Sequence, residues 1–169
     1  MIDMFKKSMK EYVCMFDFLK DSGGEDNVAV FVDGPNIIRN EFDIDLDDLR
    51  EGCESLGNVR IGKVFLNQYA SDKLVEAVIS QGFEPKVGVA GEDKEEKDVD
   101  VYMAVEVVEA IFNENIDIVA LATRDTDFLP VIQKAKEYNK GTAIVCVDRG
   151  LSTALKNAVD ETVIIKTDG

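Results

Sequence analysis

The chain has 169 residues, 46% hydrophobic and 31% charged, which suits one soluble domain with a sizeable core, and no apolar run approaches the roughly 18 residues of a membrane span. It contains no histidine, which excludes Ser-His-Asp and Cys-His nucleophile systems, a His general base and His-ligated zinc. The formal charge of -15 argues against a broad basic surface, so a nucleic-acid substrate would require cations gathered locally.

Residues 1–20 place Ile2, Phe5, Met9, Tyr12, Val13, Phe16 and Leu19 at helical spacing, which predicts an amphipathic helix ending at Asp21-Ser22-Gly23-Gly24. This divides the chain into a helix and joint, 1–24, and a domain, 25–169. The helix's apolar face must cover the domain, a second copy in a homodimer, or a protein partner. The start lacks the uncharged core of a signal peptide. Cys14, Cys53 and Cys146 are odd in number and show no metal-type spacing. Both features predict a cytoplasmic protein with buried thiols.

An unbroken apolar run at 28–32 reads as a central parallel strand, and Asp33-Gly34-Pro35-Asn36 as the turn that ends it. A helix over 43–56, capped by Asp45, leads to a second strand over 59–67. Ser71 caps a helix over 72–81 with Gly82 as its stop, and 85–89 forms a third strand. The charged stretch 91–97 reads as a surface loop. A helix over 98–113 follows, with Val101, Val105, Val108 and Phe112 as its expected buried stripe. A strand over 116–122 ends in Thr123-Arg124-Asp125-Thr126-Asp127 before a helix over 128–138, which Gly141 is expected to stop. A strand over 142–147, the turn Asp148-Arg149-Gly150, a helix over 151–158 and a strand over 161–166 complete the chain. Strands alternating with helices predict an α/β fold, a parallel Rossmann-like sheet flanked by helices.

On that architecture Asp33, Asp125 and Asp127 emerge at the carboxyl edge of the sheet, where ligands of such folds bind, and Asp100 joins them at a helix start. Asp148 is a peripheral candidate. Two of these acids have plainer readings: Asp127 as the cap of the following helix, and Asp100 as a charge favoured by the helix dipole. Carboxylates about 5 Å apart repel by about 3 kcal/mol per pair at an effective dielectric near 20. Such a cluster holds protons or holds a cation, and an all-oxygen site selects Mg2+ or Mn2+, or Ca2+ if the geometry is loose. Arg39, Lys97, Arg124 and Arg149 fall in segments at or near the same edge. Acids that can hold a metal, ringed by cations that can meet a phosphate backbone, are the apparatus of phosphodiester hydrolysis.

Three stretches in order, Asp33-Gly34-Pro35-Asn36, Lys97-Asp98-Val99-Asp100 and Thr123-Arg124-Asp125-Thr126-Asp127-Phe128, resemble the motifs of the NYN domain family, PIN-like and LabA-related metal-dependent ribonucleases. The resemblance covers residues 27–166. It implies a PIN-like fold, RNA as substrate, and an Mg2+ or Mn2+ pocket formed by Asp33, Asp100, Asp125 and Asp127. It also implies that Asn36 orients a ligand and that Thr123 hydrogen-bonds a carboxylate or bound water. The chain departs from the family where Asp98 stands for a common Gly, and where Thr123-Arg124-Asp125 stands for Ser-Gly-Asp. The reading opposed to a nuclease is a non-catalytic module that binds metal, nucleotide or RNA in the same pocket. A third, an aspartyl-nucleophile phosphatase, expects an acid two residues after the nucleophile, whereas Asp33 is followed by Gly34 and Pro35.

Overall fold

In the computed structural model, which describes residues 24–38, 44–88, 97–147 and 149–165, the apolar run becomes the middle of strand β1 (Asn27–Asp33). Val28 through Val32 are completely buried, as a strand covered by helices on both faces requires. β2 (Asn58–Leu66) lies on one side of β1 with β3 (Glu84–Val87) beyond it, and β4 (Ile118–Ala122) lies on the other side, followed by β5 (Gly141–Val147) and β6 (Glu161–Ile165). The described residues thus form a six-stranded sheet, order β3-β2-β1-β4-β5-β6, in which every pairing is parallel. Expectations for residues 1–23, for Arg39, for 89–96 and for Asp148 lie outside the described residues, as do the side chains of Lys97 and Asp98.

The connecting helices are α1 (Gly34–Ile37), α2 (Leu46–Glu54), α3 (Asp72–Ser80), α4 (Lys97–Ile111), α5 (Leu129–Glu137) and α6 (Thr153–Ala158). Their starts follow the expected chemistry. The Asp45 carboxylate accepts from the Asp47 amide and the Ser71 hydroxyl from the Leu74 amide, satisfying donors that the first turn leaves unpaired. Gly82, at φ 76°, stops α3 as expected. Gly141 does not stop α5. Asn139 takes the left-handed conformation at φ 58°, the Lys140 amide reaches back to the Ala135 carbonyl, and Gly141 is already the first residue of β5. Asn tolerates that conformation well enough to substitute for Gly.

The expected buried face of α4 is corrected. Val99, Met103, Val107, Ala110 and Ile111 face the core, whereas Val101, Val105 and Phe112 are 65%, 63% and 58% exposed. Two apolar stripes run along this helix, each at a spacing of three to four, and periodicity alone does not say which one the sheet takes. α4 packs across β1, β2 and β4 and against α5, which packs in turn on α6, so these helices share one face of the sheet. Among the described residues no helix is long and apolar enough to cross a membrane.

Candidate active site

The strand order fixes where a crevice opens. From β1 the chain moves towards β2 and β3, and from β4 it moves the opposite way, towards β5 and β6. The loops leaving β1 and β4 therefore diverge, and in sheets of this kind the ligand site lies between two such loops. Val32 of β1 pairs with Ala122 of β4, so Asp33 and Thr123, ninety residues apart in sequence, leave the sheet side by side.

Asp33 is the last residue of β1 and only 3% exposed. Its carboxylate accepts from the Thr123 hydroxyl at 3.0 Å and from the Asn36 amide at 3.3 Å, which makes it the cap of the short helix α1. Pro35 suits the first turn of α1 because no amide is needed there. Gly34 is required by space: a Cβ at this position would lie 2.3 Å from the carbonyl oxygen of Phe65 on β2. Burial pushes the Asp33 pKa up from 3.8 to about 7. The hydrogen bonds from Thr123 and Asn36 oppose this rise, and the nearby carboxylates of Asp100 and Asp125 add to it.

Thr123, fully buried, does double duty: its hydroxyl donates to Asp33 and accepts from the Asp125 amide at 3.1 Å. Asp125 in turn accepts from the Asp127 amide at 2.9 Å and caps a single 3₁₀ turn, Thr126–Phe128, that leads into α5. The capping role open to Asp127 on sequence grounds thus falls to Asp125, and Asp127 is exposed in the first turn after it. Arg124 bridges the two loops. Its backbone amide and Nε donate to Asn36 Oδ1 at 3.1 and 3.3 Å, and its Nη2 donates to the Asn36 carbonyl at 3.2 Å. Gly150, at φ 82°, lies against this guanidinium, and a Cβ there would come within 2.8 Å of Arg124 Nη1.

Among the expected site residues, Asp100 and Asp125 are each close enough for their charges to act on Asp33. Thr123, Asn36 and Arg124 form the hydrogen-bonded seam between the two loops. Arg149 is exposed in the turn beside Gly150, and the backbone of Lys97 opens α4 three residues before Asp100. Among the described residues no three Cys, Asp or Glu side chains are grouped closely enough to hold a metal ion as they stand. Gly34 and Gly150 were not singled out as residues that shape the site. The available signal was a Gly directly after a strand-end Asp, and another beside a strand-end turn.

The NYN domain family model matches residues 27–166. The uncharacterized protein MJ0482 of Methanocaldococcus jannaschii is 48% identical over 162 residues, which is 96% of this chain; the chain spans 65% of that relative's length. Among solved structures, VPA0982 of Vibrio parahaemolyticus, a protein of unknown function, matches with a TM-score of 0.75 at 21% identity, covering 88% of this chain and 98% of its own. That likeness is one of fold.

Proposed function

The chain belongs to the NYN domain family, whose fold is that of the PIN-like nucleases, and on that premise we propose that it is a divalent-metal-dependent ribonuclease hydrolysing RNA phosphodiester bonds at the Asp33 cluster. The observation that carries this reading is Asp33 itself. This carboxyl is buried at the end of the central strand with its pKa raised to about 7 and two further acids nearby, and among the described residues it is short of positive charge. The donors available are all oxygens, which fits Mg2+ or Mn2+. Asp33, Asp100, Asp125 and Asp127 are the residues that would hold the ion. Such an ion activates water and offsets charge developing on the phosphate.

The chain's own residues would supply the rest. Thr123 fixes the Asp33 carboxylate through its hydroxyl and fixes the Asp125 backbone through the same oxygen. Asn36 and Arg124 lock the two loops together, keeping the acids at a set separation. Arg124, Arg149, Arg39 and Lys97 are the cations proposed to meet the RNA backbone, at an edge where the rest of the molecule would repel it. The second reading, a module that binds metal or RNA without turnover, is favoured by Arg124. Its guanidinium is drawn back onto Asn36 at a position where the family commonly has Gly.

The test is cleavage of a labelled mixed-sequence RNA and its single-stranded DNA counterpart in EDTA, Mg2+ or Mn2+, for wild type, Asp33→Asn and Asp125→Asn. Metal-dependent RNA cleavage lost in both variants supports the nuclease. Equal cleavage by Asp33→Asn refutes this site, and metal-dependent RNA binding without turnover selects the second reading.

A further inference from the structure

α4 is apolar on two opposite faces. One packs on the sheet; the other carries Val101, Val105, Val108 and Phe112, spaced four, three and four residues apart and therefore in one line along the helix. Val101, Val105 and Phe112 are more than half exposed. The Phe112 ring meets Tyr138 edge-on at 4.8 Å, and Tyr138 is itself 47% exposed, so the patch extends to the end of α5. Beside Phe112 a hollow of about 340 Å³ opens towards β2, lined by Phe31, Ile61 and Ala110 with Glu109 and the Lys63–Glu106 ion pair at its side. An apolar stripe along a helix normally marks a face that is covered.

We propose that residues 1–20 of the same chain dock as an amphipathic helix along this outer stripe of α4. Three observations select this occupant. The segment carries its own line of large apolar residues, Ile2, Phe5, Met9, Val13, Phe16 and Leu19, at the matching three-to-four spacing. It joins the domain at the correct end. Asn27, the first residue of β1, donates its amide to the Asp117 carboxylate at 2.8 Å and accepts from the Asp117 amide at 2.9 Å, and Asp117 follows the end of α4 by six residues. Its length also suffices. The stripe from Val101 to Phe112 spans about 16 Å of helix, and a 20-residue helix spans about 30 Å. Entering β1 at that edge, the segment runs in the same direction as α4, bringing Leu19 towards Phe112 and the hollow. At helical spacing Lys6 and Lys10 flank its apolar line, and the exposed Glu109 flanks that of α4.

The test uses the full chain: backbone hydrogen exchange of wild type, Val105→Asp and Phe5→Asp, with molar mass in solution measured at high and low concentration. Val105 is exposed and Phe5 precedes the first strand by 22 residues in sequence, so the amides of β1 and β4 should keep their protection in both variants and report an intact fold. The expected result is protection across residues 2–20 in wild type, at the mass of one chain, falling at least about tenfold in each variant. Unprotected exchange of residues 2–20 in wild type overturns the proposal, as does protection that both variants retain. Protection seen only at the mass of two chains and lost on dilution also overturns it, and assigns the stripe to a second copy.

Discussion

Replacing Asp33 by Asn should stabilise the protein at alkaline pH while removing the group that the proposed activity depends on. The Asp33 pKa is about 7 in the folded chain against an ordinary 3.8. Between these two values the folded state holds a proton that the unfolded chain has released, so stability falls as pH rises, by about 1.36 kcal/mol per pH unit for this one group. From pH 5 to pH 8 wild type therefore loses about 2.6 kcal/mol through Asp33, most of it below pH 7, where the group is half ionised. An asparagine does not titrate. It has one carbonyl oxygen where the carboxylate takes two hydrogen bonds, from Thr123 and Asn36, which costs about 1 kcal/mol at every pH. The variant should thus start slightly below wild type at pH 5 and end above it at pH 8, a swing in Tm of roughly 5–10 °C for a domain of this size. Thermal unfolding followed by circular dichroism, in EDTA at pH 5, 6, 7 and 8, measures this directly. Parallel Tm curves for the two proteins would refute the reasoning, because they would mean that Asp33 ionises normally. Adding Mn2+ at pH 8 should raise the Tm of wild type but not that of the variant.

Thr123→Val keeps the shape of the side chain but removes one of the two hydrogen bonds to the Asp33 carboxylate and leaves the Asp125 amide without its hydroxyl partner; we expect a loss of about 1–3 kcal/mol in urea unfolding and about 10–100-fold in metal affinity or activity. Gly34→Ala forces a Cβ against the Phe65 carbonyl, which is backbone and cannot rotate away, and should cost about 1–3 kcal/mol or more, read as a lowered urea midpoint. Met103→Ala empties the face of α4 that packs on the sheet and should cost about 2–5 kcal/mol in the same assay; a near-neutral result would mean that the helix is rotated from the position described. Burial pushes the Cys53 thiol up to about 12, so Cys53 should resist iodoacetamide at pH 8 in the native protein, by mass spectrometry, and react once the chain is unfolded.

The order of elements was legible because each strand is a short apolar run bounded by turn residues, and because Asp45, Ser71 and Gly82 carry helix signals that act within a few residues. The parallel sheet followed from the alternation of strands and helices. The sequence was less informative wherever two solutions share one period. The stripes of α4 at 99, 103, 107 and 110 and at 101, 105, 108 and 112 are equally regular, and only the sheet's position distinguishes them. The candidate acids could be assigned to one edge, since each stands at a strand or helix end. The seam between them could not be read in this way. The Arg124 bonds to Asn36 and the Thr123 bond to Asp33 join residues 88 and 90 positions apart, through a pairing of β1 with β4 that no local pattern specifies.

That seam bears on why an acid stands at position 33 at all. Among the described residues, the groups that act on Asp33 are a hydroxyl, a backbone amide and two carboxylates, none of which carries positive charge. A carboxyl held this way works against folding throughout the range in which it ionises, and an amide at the same position would relieve most of the strain. Packing does not call for the acid, because the loops are joined independently by Arg124 and Asn36. Capping does not call for it either, since Asn caps a helix about as well as Asp. What remains is a requirement for negative charge at the end of the central strand, within reach of Asp100 and Asp125. A divalent cation meets that requirement, and this is why the metal-dependence of stability tests the proposed site before any RNA is added.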